Sequence, residues 1–263
     1  MKSPARKAAA GVLAIVLLSL SGCGHSYEGD SAAALEALAG AGSVHAEMSF
    51  RMAYTLSLEG ETREYEITET CSLDSSAALT SGVLSAGEGG SELRYIVELN
   101  GDEYDLYLSR DGEGWEARPG LDASELSGAG LVSDAAGPAG FYLERASGFG
   151  EAAEEEIDGA ACRRYDGVLP GEALAAAPGA SGAGSLFPEG AKGADAPISV
   201  WFEAESGLPR RISLDPSGAL AGYVSARLAE AGLDADAITL GNAGVTVELS
   251  EFGSAAPEAP PDI

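Results

Sequence analysis

Two histidines, three cysteines and 42 acidic side chains carry most of the chemistry that this 263-residue chain offers. Catalysis near neutral pH usually draws on a bound metal or on a group that titrates there, which among side chains means histidine. His25 stands two residues after Cys23, and His45 falls on the wet side of a long alternating segment. Neither has neighbours at metal-ligand spacing. Serines are plentiful, but no Gly-x-Ser-x-Gly elbow occurs and no histidine sits on a turn to serve as a base. The groups Asp102-Glu103-Asp105, Glu154-Glu155-Glu156 and Asp234 with Asp236 contain residue types used in glycoside hydrolysis and calcium binding. None matches the twelve-residue calcium loop, and each falls in an expected turn or loop, so they read as solvated surface. The Gly-rich run from Ser85 to Gly90 lacks the lysine of a phosphate loop. These residues predict no catalytic site, no metal and no cofactor, and hence a protein that is not an enzyme.

One short stretch does specify chemistry. Lys2, Arg6 and Lys7 form a basic start, and Ala8 to Leu20 form an apolar run of signal-peptide length, too short to span a bilayer. Leu20-Ser21-Gly22 then lead directly into Cys23, which looks like a bacterial lipobox. In such a motif a diacylglycerol is joined to the cysteine sulfur, and cleavage leaves that cysteine as the first residue. The alternative is an ordinary signal peptide with a chance cysteine. The lipobox reading makes residues 1–22 a signal peptide and Cys23 the lipidation site. It places the mature chain outside the cytoplasm, on the outer face of the cytoplasmic membrane, or on the outer membrane of an organism that has one.

Removal of residues 1–22 takes away three basic side chains and no acid, leaving 12 Lys and Arg against 42 Asp and Glu, a net charge of −30. That surface repels nucleic acid and anionic headgroups, so the membrane is expected as a partner only through the lipid. An apolar fraction of 45% argues for a folded core rather than disorder. A single domain over 31–253 is expected, monomeric, with a lipidated tether at 23–30 and a disordered Pro-rich tail at 254–263. Cys71 and Cys162 remain as thiols in a compartment where disulfides persist. They read either as a bonded pair, which would stabilise by on the order of 4 kcal/mol in the chain-entropy model, or as two free buried thiols.

The elements that would position these groups are mainly strands. Ser31 is expected to cap a short helix over Ala32 to Ala41. From Val44 the even positions are apolar through Leu58 while the odd ones are largely polar, the period-two pattern of a strand with one dry face. Tyr65, Ile67, Cys71 and Leu73 continue it, as do Leu93 to Leu99 before Asn100-Gly101 and Tyr104 to Leu108 before Asp111-Gly112, an antiparallel meander. Further strands are expected near 161–169, 198–203, 208–214 and 244–252, and helices over 123–143, interrupted at Gly137-Pro138, and 217–231. Residues 171–197 read as an Ala- and Gly-rich excursion with a short helix from Glu172 to Ala177. Around Cys162 the parity conflicts: if Tyr165 packs inward, Cys162 points outward. The dry face carries Met48, Phe50, Met52, Tyr54, Tyr95 and Tyr104, which serve either as core under the helices or as the adaptable wall of a ligand cavity.

The lipobox, the short helix, Ser43-Val44-His45-Ala46 opening a very long strand, and Asp111 to Trp115 after a hairpin form a recognisable order. It continues with Asp158-Gly159 before Cys162-Arg163-Arg164-Tyr165, then Val200-Trp201-Phe202, Ser206-Gly207-Leu208-Pro209 and a last alternating strand. Over nearly all of the mature chain it resembles bacterial envelope lipoproteins of the LolA/LppX-like superfamily (LppX, LprA, LprF and LprG among them). The resemblance implies an α+β fold, a curved antiparallel half-barrel covered on its concave face by helices, and a cavity that takes a lipid or acylated ligand. The other function that relatives imply is an envelope sensor or protein-interaction module with a filled core.

Overall fold

A computed structural model describes residues 25–58, 60–87, 90–129, 131–178, 194–234 and 236–263. Eleven strands form one antiparallel sheet: β1 (Ser43–Leu58), β2 (Glu61–Ser76), β3 (Leu79–Ala86), β4 (Glu92–Asn100), β5 (Glu103–Arg110), β6 (Glu116–Leu121), β7 (Ala153–Ile157), β8 (Ala160–Leu169), β9 (Ala196–Glu203), β10 (Pro209–Leu214) and β11 (Ile238–Ser250). Their order is β6-β5-β4-β3-β2-β1-β11-β10-β9-β8-β7, so the sheet curves without closing and β6 and β7 are its free edges. Two meanders meet where β1 pairs with β11. The helices are α1 (Tyr27–Gly40), α2 (Ala123–Ala129), α3 (Gly137–Arg145), α4 (Gly171–Leu174) and α5 (Ser217–Glu230). Residues from α1, α2, α3 and α5 share one buried cluster with the dry face of the sheet, which gives the expected α+β half-barrel with its cover of helices.

The alternation in β1 translates into burial over its first half. Val44, Ala46, Met48 and Phe50 are buried, paired on one side with β2 (Met48 opposite Cys71) and on the other with β11 (Met48 opposite Val247). Beyond Met52 the same face is only half-covered. At the far tip of the β1–β2 hairpin Leu58 is 52% exposed, and Tyr65 and Ile67 are exposed on β2. Strand β11 begins at Ile238, six residues before the alternation predicts, because Ile238 and Leu240 pair with Leu56 and Tyr54 beyond a bulge at Met52 to Tyr54.

Three strands escape the periodicity, among them β6, whose Glu-Ala-Arg-Pro-Gly-Leu shows no alternation and is mostly exposed. The inward positions of β3 are Thr80, Gly82 and Leu84, too small and polar to read as a dry face, and β7 is Ala-Glu-Glu-Glu-Ile. Gly82 is small for a packing reason: the fully buried Tyr95 ring of β4 lies across it, and a Cβ added there would stand 2.6 Å from that ring. Gly82→Ala is therefore expected to lower stability by about 1–3 kcal/mol, the range for overpacking a filled core. Urea unfolding would check this, and a melting curve unchanged from wild type would contradict it. At the β7–β8 hairpin Asp158 (φ 51°) and Gly159 (φ 82°) form a two-residue loop with both residues left-handed, the geometry matched to strand twist.

Helix α1 starts earlier than expected. Ser26, not Ser31, is its cap, accepting a hydrogen bond from the Gly29 amide at 3.2 Å. Ser31 lies inside the helix, buried, and donates to the Leu143 carbonyl at 3.4 Å. Residues 27–30, expected as part of the tether, thus belong to the helix. The helical pattern over 123–143 resolves into two helices, with Pro138 in the first turn of α3, where its missing amide costs nothing. The tail expected to be disordered has no regular structure, but it lies against the outer face, where the Glu258 amide donates to Ser81 Oγ at 2.8 Å and its carboxylate meets Arg94 at 2.6 Å. The heart of the expected excursion, residues 179–193, lies outside the described residues, as do Cys23 and the expected signal peptide, residues 1–22.

Candidate functional site

The strand ends near the C-terminal half of α1 enclose space rather than core. A cleft of about 760 Å³ lies between Leu35 and Leu38 of α1, the Ser75–Thr80 turn, Val97, and Phe141 of α3. A second of about 300 Å³ lies between α2, α3 and the 131–134 segment, reaching Ala176 and Pro178. Tyr104 and Phe141 line both, as do Ser133, Asp134 and Gly137, so the two spaces adjoin. Their roof is pinned by hydrogen bonds with side chains of β2 and β3: Thr80 Oγ1 donates to the Ser133 carbonyl at 2.7 Å, and the Ala135 amide donates to Ser75 Oγ at 3.0 Å. Gly137 and Gly140 keep the floor of α3 low, since a Cβ at Gly140 would meet only Leu35, at 3.9 Å. The lining mixes apolar side chains with hydroxyls and backbone polar groups. Its charged members among the described residues are Asp134 and Glu144, both exposed carboxylates.

The expected wall residues divide. Tyr104 lines both clefts. Met48, Phe50 and Tyr95 are packed in the central core, while Met52 and Tyr54 are half-buried farther along, Tyr54 stacked on Tyr65 at 5.2 Å between centroids. The apolar parity picks out the inner face, but not which stretch of it is left uncovered. Leu35, Leu38, Val97 and Phe141 were missed; the available signal was the run of small residues on each side, Ser75 to Ala78 and Gly137 to Gly140.

At its other end α1 is clamped to the sheet. Tyr27 is buried, stacked on Phe149 at 3.5 Å, and its hydroxyl donates to the Leu143 carbonyl at 2.9 Å. Asp30 Oδ2 accepts two hydrogen bonds, from Arg163 Nε and from the Tyr165 hydroxyl, each at 2.8 Å. The Asp30 and Arg163 side chains are only 13% and 14% exposed. Burial pushes the Asp30 carboxyl upward, but the hydrogen bonds from Arg163 and Tyr165 and the guanidinium charge outweigh it and hold the group below the usual carboxylate range. Burial, with Asp30 alongside, pushes Tyr165 up to about 12.

The residues weighed for chemistry are scattered. His25 Nδ1 lies 3.3 Å from Asp30, and His45 Nδ1 lies 2.8 Å from Asp74 on the outer face. Asp105 accepts from the Gly120 amide at 2.9 Å, and Glu155 from Trp201 Nε1 at 3.0 Å. Among the described residues no group of three His, Cys, Asp or Glu is placed to hold a metal. The disulfide expected between Cys71 and Cys162 is absent, and both thiols are free. They lie on opposite faces. Cys71 points into the core beside the Tyr95 hydroxyl at 3.8 Å, where burial pushes its thiol up to about 11. Cys162 forms a small outer cluster with Ile157 and Trp201, because Tyr165 takes the inward parity of β8. Arg164 lies over the Trp201 ring at 5.2 Å and closes that cluster.

No family model and no curated protein matches the chain. Among solved structures it is similar to the lipoprotein LppX of Mycobacterium tuberculosis, with 17% identity and a TM-score of 0.47, covering 88% of this chain and 96% of that one. It is similar to LprF from Mycobacterium bovis at 13% identity and a TM-score of 0.47, covering 91% and 98%. A LolA superfamily protein from Nitrosomonas europaea aligns over 90% of this chain and 96% of its own at 8% identity, with a TM-score of 0.23.

Proposed function

We propose that this protein is a lipid-anchored, non-enzymatic component of the cell envelope that holds a lipid or other apolar ligand in the cleft between α1, α3 and the ends of β1 to β5. The cleft carries the reading. Its volume of about 760 Å³ falls within the range of roughly 300–1,000 Å³ typical of small-molecule sites. Its lining combines Leu35, Leu38, Val97 and Phe141 with hydroxyls of Ser75, Thr80 and Tyr104, a mixture suited to a ligand with both apolar and polar parts. Cys23 supplies the attachment to the membrane, and no helix among the described residues is long and apolar enough to cross one.

Native mass spectrometry of the protein, extracted in mild detergent, is expected to show a lipid-sized adduct in addition to the covalent modification. Gly140→Leu fills the cleft from its floor, and is expected to reduce the non-covalent adduct at least about tenfold, equivalent to 1.4 kcal/mol. A protein that never carries or accepts a lipid would refute the reading. The alternative, a sensor or interaction module with a filled core, draws on the close packing of Met48, Phe50 and Tyr95. It predicts no adduct and a partner protein recovered by crosslinking in cells.

A further inference from the structure

The strand register shows that the clamp on α1 and the mouth of the cleft lie at the same end of the sheet. Arg164 is level with Glu47 through the pairs Arg164–Trp201, Trp201–Arg211, Arg211–Glu248 and Glu248–Glu47, so Arg163 and the start of α1 stand at the level of the first residues of β1. The mouth is bounded at that level by Ser43, Ser76, Ala77 and Ala78. Helix α1 runs between the two places. Tyr27 to Leu38 is eleven residues, about 17 Å at the helical rise. The β1–β2 hairpin tip is fifteen residues away along β1, about 50 Å.

Cys23 lies four residue steps before Tyr27, a reach of about 14 Å at full extension. Tyr27 cannot swing on its own, because its ring is stacked on Phe149 and the next turn of the helix is held by Arg163 and Tyr165. A lipid on Cys23 therefore fixes the nearest end of the domain. We propose that the end bearing the α1 start and the cleft mouth faces the bilayer, with the β1–β2 hairpin pointing away, so that the cleft exchanges its ligand with the membrane in which the protein is anchored. The orientation rests on the lipobox reading of Cys23, and its bearing on exchange rests on the proposed ligand cleft. It needs no adsorption, which a net charge of −30 opposes; the short tether and the rigid helix start suffice.

The test uses the full lipidated protein in phosphatidylcholine vesicles carrying an acceptor dye on a small fraction of headgroups. Donor dyes are placed at Ala78→Cys, beside the mouth, and at Glu61→Cys, at the hairpin tip. Energy transfer from position 78 is expected to exceed that from position 61 several-fold. Inserting thirty Gly and Ser residues between Gly24 and His25 is expected to erase most of the contrast while the non-covalent lipid adduct stays unchanged. Equal transfer from both positions, or stronger transfer from position 61, would overturn the orientation. Mass analysis of the N-terminal peptide separates the outcomes: an unmodified Cys23 defeats the anchor and the orientation with it. A modified Cys23 and a strong contrast, but no lipid adduct, defeat only the ligand reading.

Discussion

Cys23→Ala is expected to shift the protein from the membrane fraction almost completely into the soluble one. Each methylene buried in a bilayer contributes roughly 0.8 kcal/mol, so one chain binds marginally and two anchor stably, and on the lipobox reading both would be joined through this sulfur. Little else holds the protein at a membrane. Its charge, −27 over the full chain, repels anionic headgroups, and no helix among the described residues is long and apolar enough to span. Residual binding should therefore be near background at low salt as well as high, which differs from the behaviour of a protein with a basic adsorbing face. Fractionation of cells expressing wild type and variant would measure this. Substantial membrane retention of the variant would mean that another surface does the anchoring.

The second large effect concerns the clamp. Arg163→Ala leaves the Asp30 carboxylate, 13% exposed, without its guanidinium, and is expected to lower stability by on the order of 3 kcal/mol. Tyr165→Phe removes one hydrogen bond to the same oxygen and should cost about 1–2 kcal/mol. The sign of the pH dependence follows from the direction of the Asp30 shift. Its folded value is depressed, so its contribution is complete above the ordinary carboxylate value of about 3.9 and is lost as pH falls through the folded value. The gap between wild type and Arg163→Ala should thus be full at pH 7 and narrow below about pH 4. Urea unfolding at the two pH values checks both. An Arg163→Ala protein as stable as wild type at pH 7 would show that the pair holds nothing, and with it would go the rigid start of α1.

Much of this architecture was open to reading in the chain. The parity of β1, β2, β4 and β5 marks the inner face, whereas the parity of β8 left Cys162 in conflict with a bond to Cys71, and only the packing of Tyr165 in the core sets Cys162 on the outer face as a free thiol. Where local pattern failed, a neighbour had decided. β3 hides its dry face because Tyr95 from the next strand fills the space above Gly82, and β7 is a run of glutamates of which Glu155 meets Trp201 of β9 and Arg164 of β8. Helix α1 begins at Ser26 rather than Ser31 because Tyr27, Asp30 and Ser31 all find partners more than 100 residues away.

Alternation, turn residues and the Leu-Ser-Gly-Cys motif are properties of adjacent residues, so the sequence by itself determined the alternating strands, their faces and the expected address. Cavities and clamps are made where distant segments meet. Only the tertiary structure decided that Met48, Phe50 and Tyr95 fill the core while Tyr104 borders open space, because the depth of cover over each depends on how α1 and α3 lie across the strand ends. Only it brought Asp30 to Arg163, and so put the start of the first helix and the mouth of the cleft at one end of the sheet.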